Sequence, residues 1–283
     1  MSVNIFGKIY DTNIEEHFSV YRKKIKDFSK NVNLFRNLKT IQLLYCKIKI
    51  IPEDFCNSSI ELERIELDNN KISDICNIFC KFTKLRELRL RENRIKKIPF
   101  VCKSLEILCL DRNEIEEITE SFCGLSKLKV LWLNDNRIQN IPINIYKLIN
   151  LETLYLRDNE IKKLPNSFSN LINLRHLYLS SNELVDIPEN LENLLNLKNL
   201  DISDNEITSL PISIINLVQL SNFQYFGNPI ENLDPIIQRF LNRLKNKGHN
   251  INIIYRDEQN VHALSIEKSI RESILKILSC KYM

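Results

Sequence analysis

Apolar residues fall in fixed columns over most of the chain. Leu151 to Asn173 reads LETLYLRDNEIKKLPNSFSNLIN, followed by LRHLYLSSNELVDIPENLENLLN from Leu174 and LKNLDISDNEITSLPISIINLVQ from Leu197. All three fit L-x-x-L-x-I/L-x-x-N-x-I/L-x-x-I/L-P-x-x-I/L/F-x-x-L-x-x, with the first leucine as position 1. Positions 4 and 6 alternate as a short half-buried strand does, and the later apolar positions lie on a return segment. One unit cannot cover its own leucines. Stacked units bury them in a continuous core and pair their short strands in a parallel sheet, which predicts a solenoid.

An asparagine column sets the register: Asn70, Asn93, Asn113, Asn136, Asn159, Asn182, Asn205 and Asn228. Steps are of 23 residues except between Asn93 and Asn113, where the repeat holding IPFVCKS has lost three residues after Pro99. An asparagine amide at each turn can satisfy backbone groups of adjacent coils, which explains a buried polar column. A further, imperfect repeat starts at Leu38 with Cys46 in the asparagine position. Lacking the double-ended amide, that coil is expected to be the least regular. Cys76 and Thr119 stand in the proline column.

Nine such copies resemble the leucine-rich repeat family over roughly residues 38 to 233. The 23-residue form with IP or LP after the asparagine is similar to the intracellular class of Ras-suppressor proteins, plant Ras-group proteins, epithelial-polarity scaffolds and adenylate cyclase repeat domains. The resemblance implies an α/β solenoid, curved, with short parallel strands on the concave face and positions 3, 5, 7 and 8 pointing outward. Alternation along the strand says the same of positions 3, 5 and 7.

Position 5 brings three aromatics into adjacent rows: Trp132, Tyr155 and Tyr178. Parallel strands about 4.8 Å apart would align them as a ladder roughly 10 Å long. Arg89 lies in the same column, position 7 supplies Arg91, Asp111, Asn134 and Arg157, and position 3 supplies His176. An aromatic patch with arginine and a polar rim has the composition of a protein-binding hot spot. The alternative is that tyrosine at position 5 simply packs over its neighbour.

Solenoid ends expose core and need covering. In residues 1–37, Ile14, Phe18, Tyr21, Ile25 and Phe28 recur at helical spacing behind a capping-box pattern, Thr12 to Glu15, which predicts an N-terminal helical cap. In residues 234–283, Asp234-Pro235 opens a helix carrying Ile236, Ile237, Phe240, Leu241 and Leu244, stopped at Gly248. Ile251 to Tyr255 reads as a short strand. Ile266, Ile270, Ile274, Ile277 and Leu278 form an amphipathic stripe that either folds back as cap or engages a partner.

Composition narrows the function. Four glycines leave no phosphate-cradling loop, and the four histidines and eight cysteines show no metal, triad or disulfide-framework spacing; CNIFC at Cys76 to Cys80 has no second ligand pair. No cofactor, metal site or catalytic residue is expected, and the flanks of about 37 and 50 residues are short for a catalytic domain. Residues 1–37 carry a net charge of +3, residues 38–234 −4 and residues 235–283 +5, so nucleic acid is not an expected partner. RKKIK, Arg22 to Lys26, reads as the solvated face of the N-terminal helix rather than a membrane contact. No run of about 18 apolar residues or signal-peptide pattern exists, which points to a cytoplasmic or nuclear monomer. The expected function is a non-catalytic adaptor that binds a protein partner on its concave face in intracellular signalling. The alternative is a regulatory or targeting subunit of a phosphatase or ubiquitin ligase complex.

Overall fold

The computed structural model describes residues 2–5, 8–25, 32–56, 61–75, 79, 81–98 and 102–252. A hairpin of β1 (Ser2–Ile5) and β2 (Lys8–Asp11) precedes β3 (His17–Tyr21), β4 (Thr40–Leu44), β5 (Arg64–Glu66), β6 (Glu87–Arg89), β7 (Lys97–Ile98), β8 (Ile107–Cys109) and β9 (Glu117–Ile118). Then follow β10 (Val130–Trp132), β11 (Thr153–Tyr155), β12 (His176–Tyr178), β13 (Asn199–Asp201), β14 (Asn222–Gln224), a helix α1 (Pro235–Asn246) and β15 (Asn250–Asn252). Apart from β1, β2, β7 and β9, all strands join one parallel sheet of 11 strands in chain order. The centre of each three-residue strand of this sheet, such as Leu131, Leu154 and Leu177, is buried.

The back of each coil is built differently. Pro142, Pro165 and Pro211 hold extended backbone (φ −63° to −69°) ahead of short 3-10 helices at Ile143–Lys147, Asn166–Asn170 and Ile212–Asn216. The fixed φ of proline suits this entry. Thr119 adopts the same conformation (φ −71°, ψ 154°), so its place in the proline column costs no geometry. Position 18 fills the back of the core with Phe55, Phe79, Phe122 and Phe168, all fully buried. Helical turns are wider than the strand spacing, so the stack bends with its sheet on the concave side. The three residues lost after Pro99 are missing from this back side. There β7 pairs with β9, while β6 and β8 stay in register.

The asparagine column locks each coil to the one before it. Asn136 Nδ2 lies 3.0, 3.1 and 3.2 Å from the carbonyl oxygens of Leu110, Leu133 and Asn134, and Oδ1 accepts from Ile115 N–H at 3.0 Å. The other seven repeat this geometry, and all eight are buried. The bonds hold a costly backbone: Asn69, Glu92, Arg112, Asp135, Asp158, Ser181 and Asp204, each preceding a column asparagine, have φ between 52° and 57°. A left-handed non-glycine residue costs about 1 kcal/mol or more. In the last coil this place is taken by Gly227, where a Cβ would stand 2.2 Å from Asp204 Oδ1. A second amide series runs along the opposite rim, at position 23. Asn150, Asn173 and Asn196 donate to the carbonyls of Ser126, Ile149 and Ile172 at 2.7 to 2.8 Å.

The N-terminal cap departs from expectation. No helix forms at residues 12–25; instead β3 pairs in parallel to β4 and adds a strand to the sheet. Phe18 and Val20 are buried and His17, Ser19 and Tyr21 face out, while Ile14 and Tyr21, needed on the helix's apolar side, are 73% and 52% exposed. Period-two burial against an unpaired sheet edge wins over the helical spacing. Thr12 to Glu15 is a turn whose Ile14 and Glu15 amides donate to Asp11 O. The hairpin closes this end: Tyr10, Phe18 and Phe35 pack with centroids 5.2 to 5.7 Å apart, and Tyr10 OH donates to Ser19 O. Phe28 lies outside the described residues.

Cys46 performs half of the asparagine's task. Its thiol donates toward Val20 O and Leu44 O, while Ile25 N–H turns to Cys46 O in place of a side-chain oxygen. At the other end, Asp234 accepts from Ile236 N–H, and α1 buries Ile237, Phe240, Leu241 and Leu244. Ile236 is 45% exposed and does not join that face. Gly248 takes φ 80° as the helix ends, and β15 adds to β14. The stripe from Ile266 to Leu278 lies outside the described residues.

Removing one column amide orphans a buried N–H and the carbonyls of two coils. Asn136→Ala is therefore expected to lower unfolding stability by about 3 kcal/mol, and Cys46→Ala, which loses only weak thiol bonds, by about 1 kcal/mol or less. Urea titration followed by circular dichroism measures both; equal losses would refute the assignment.

Candidate functional site

The in-register sheet turns position 5 into a row. Trp132 pairs with Tyr155 and Tyr155 with Tyr178 across β10, β11 and β12. Their rings stack at centroid separations of 5.7 and 4.7 Å with interplanar angles of 6° and 3°. All three are half-buried, with leucines beneath and solvent above. Such stacking adds about 1 kcal/mol per pair beyond area burial, so the ladder stiffens the face as well as furnishing it. Tyr178 OH accepts from Asn199 Nδ2 at 3.1 Å. Desolvation first, then Tyr178 and Asp111, holds the Tyr155 phenol above its ordinary range.

Around the ladder the concave face has two other zones. Toward the N-terminus it is an ion lattice: Arg64 Nε meets Glu66 at 2.5 Å and Glu87 at 3.3 Å, and Arg89 Nε meets Glu87 at 2.5 Å. Arg89 is thus committed within the chain. Position 7 is partly structural too. Asp68, Asp111 and Asn134 accept from the next coil's Arg91, Asn134 and Arg157 N–H at 2.7 to 2.8 Å. Asp111 and Asn134 brace the sheet in this way, and Arg157 is exposed with its guanidinium 3.0 Å from Asp158. Burial pushes Asp68 up to about 6 and raises Asp111; Cys109, buried between them, is pushed up to about 12 and stays a thiol.

Toward the C-terminus the face is polar with unpaired groups. His176 Nδ1, Ser180 Oγ and Asn222 Oδ1 are buried atoms with no hydrogen-bond partner, as is Arg91 Nε farther up the face. His176 opens β12 and Ser180 lies two residues beyond its end, one on either side of Tyr178 in the chain. Desolvation, then Lys198 and Arg175, keeps the His176 imidazole below its ordinary range. Thus Trp132, Tyr155, Tyr178, Arg157 and His176 gather on one surface, Asp111 and Asn134 serve its frame, and Arg89 and Arg91 lie in or beside the ion lattice.

Among the described residues no three His, Cys, Asp or Glu side chains gather so as to hold a metal ion. Cys46, Cys109 and Cys123 are buried free thiols. Cys76, Cys80 and Cys280 lie outside the described residues.

One surface escaped the column reading. Position 22 carries Ile149, Ile172, Leu195 and Val218 in four successive coils, exposed by 54 to 74%, with the carbonyls of Ile149 and Ile172 held by the second amide series. Its signal is the recurring LINL, LINL, LLNL, LVQL before each strand.

Comparison with known proteins places this geometry. The leucine rich repeat model matches residues 83–138 and 126–184, and the two-copy leucine rich repeats model matches residues 172–216. No curated protein sequence matches the chain. Among solved structures, it is similar to the octameric complex of Latrophilin 3, Unc5D and FLRT2 (LRR): TM-score 0.71, 25% identity, covering 85% of this chain and 76% of that one. It is also similar to the TLR13–ssRNA13 complex, with TM-score 0.64 and 27% identity over 74% of this chain and 32% of that one. The ectodomain of the Arabidopsis thaliana receptor kinase GASSHO1/SCHENGEN3, in complex with CASPARIAN STRIP INTEGRITY FACTOR 2, shares the fold at TM-score 0.58 and 23% identity, over 83% of this chain and 32% of that one. The chain spans about a third of the length of these last two.

Asp68 binds its proton more tightly folded than unfolded, since its folded value near 6 exceeds the ordinary 3.8. Its ionised form therefore costs stability above about pH 6, and the cost is relieved as pH falls toward 4. Asp68→Asn keeps the acceptor for Arg91 N–H and removes the charge. The variant is expected to melt higher than the parent at pH 7, with the gap closing by pH 4; a gap that is constant with pH would exclude Asp68 as its source.

Proposed function

We propose that this chain, which belongs to the leucine-rich repeat family across residues 83–216, is a non-catalytic interaction module that takes a protein partner on its concave face. Leucine-rich repeat domains generally mediate protein–protein interaction, and the stacked Trp132–Tyr155–Tyr178 ladder carries the reading here. Three large rings, immobilised by their neighbours, lose little freedom on contact and offer apolar area at the centre of the sheet. Arg157 sits at the edge of the ladder, able to exchange Asp158 for a partner carboxylate. The likeness of its repeats to the intracellular 23-residue class supports a cytoplasmic signalling adaptor.

Capture of partners by the full chain, compared with Trp132→Ala/Tyr155→Ala, tests the site. Hot-spot truncation costs about 2 kcal/mol or more per residue, so the captured partner should bind at least about thirtyfold more weakly to the variant. Trp132 is the chain's one tryptophan, and its emission should shift as the partner is titrated. Undiminished capture with an unshifted emission would remove the concave ladder from consideration. A catalytic subunit recovered in stoichiometric amount would recast the module as the regulatory arm of an enzyme.

A further inference from the structure

The turn after the asparagine column forms a rim along the C-terminal ends of the strands, and its charge is sharply divided. Position 11 of each coil is buried, as Ile25, Ile48, Ile72 and Ile95, so positions 10 and 12 on either side point outward together. The coils are in register here: Lys71 N–H donates to Ile48 O and Arg94 N–H to Ile72 O, at 2.7 and 2.8 Å. In the second coil the outward pair is Lys47 and Lys49; in the third, Lys71 and Ser73; in the fourth, Arg94 and Lys96, with Lys97 beside them. The first coil adds Arg22, Lys23 and Lys24, all exposed. The next coil places Glu114, Glu116 and Glu117 on the same track and ends the basic run. Asp74 and Glu92 are acids set among these bases, and Glu92 is paired with Arg112. Among the described residues none of the rim's lysines, nor Arg94, is in an ion pair, whereas the concave lattice is paired throughout.

Apolar and aromatic groups stand among these charges. Ile50, next to Lys49, is 76% exposed, and Tyr21 and Tyr45 are 52% and 42% exposed at the strand ends. The two rings meet edge to face at 5.4 Å, and the Arg22 guanidinium lies 5.0 and 5.5 Å from their centroids. Arg22 to Ile25 thus lead into this rim and do not form a helix.

We propose that this rim docks on an anionic lipid bilayer. Lysines spaced by coil at about 4.8 Å along an edge make a diffuse positive field rather than a cleft. Lysine is a hydrated point charge suited to such a field, whereas recognition of individual nucleic-acid phosphates favours the arginine fork. Anionic headgroups return about 1 kcal/mol per basic residue near the surface, a field that salt screens. Tyr21, Tyr45 and Ile50 are the residue types that settle at the headgroup boundary. Docking by this rim leaves the concave aromatic ladder open, so the contact stands independently of the proposed partner site.

The test is co-sedimentation of the full chain with phosphatidylcholine vesicles, with and without phosphatidylserine, at low and high salt. Binding is expected only with phosphatidylserine and should weaken as salt rises. Lys47→Glu/Lys49→Glu/Lys96→Glu should weaken it at least tenfold and Ile50→Ala severalfold, with the circular dichroism spectrum unchanged in each. Equal sedimentation with both vesicle types, or full binding by the charge-reversed variant, overturns the proposal. So does displacement of the vesicles by a short RNA or by polyglutamate that loses its own binding in the same variant.

Discussion

One asparagine amide per coil is the constraint on which the molecule rests. Its oxygen takes an N–H from the coil before, and its nitrogen reaches carbonyls of both coils, so adjacent turns are bolted at fixed offset. This fixes the left-handed residue just before it, a conformation that seven non-glycine residues adopt at successive turns. Without the amide, that turn would hold buried, unpaired backbone groups in a strained geometry. The leucine core provides the bulk of the driving force, but it is non-directional. The amide chooses the register among the ways leucines could stack.

Register in turn makes surfaces out of columns. A residue at one repeat position lies beside its counterpart about 4.8 Å away, so composition within a column becomes texture on a face. Position 5 yields stacked aromatics, positions 3 and 5 farther up yield interlocked arginine and glutamate, and positions 10 and 12 yield a basic edge that stops at Glu114. None of these textures touches the buried columns, so each can vary without a large cost to the core. The three-residue deletion obeys the same logic. It falls on the back of the coil, and β6 and β8 face each other as though nothing were missing.

Much of this was legible because a periodic column converts sequence distance into spatial adjacency. The parallel sheet, the asparagine ladder and the row from Trp132 to Tyr178 follow from counting. The first coil did not, because Phe18, Tyr21 and Ile25 fit helical spacing while Phe18 and Val20 fit a strand, and the first coil lacks both the leucines and the asparagine that mark register. What decided it was the bare edge of β4, a property of the assembled sheet. Side-chain pairing was similarly hidden. Counting places Arg89 beside the ladder but cannot show that Glu87, two residues earlier on the same strand, holds it, or that Asp111 and Asn134 spend their oxygens on backbone amides.

The stacking of the ladder also limits how it can be used. Rings inclined by only 3° to 6° cover one another's faces, so Tyr155 has neither face free and Trp132 and Tyr178 have one each. On the proposed binding face a partner therefore meets ring edges and phenol oxygens. Ring edges carry the positive side of the aromatic quadrupole and favour carbonyl oxygens and other electron-rich groups. The free face of Trp132 looks toward the coil of Cys109, a buried thiol with little height, and that of Tyr178 toward Asp201, whose carboxylate is held by Ser203. Smaller side chains at those two positions leave a step at each end of the ladder. The face thus presents a raised aromatic ridge with a shallow shelf on either side, a shape suited to a peptide backbone crossing the ridge with its side chains settling beyond it.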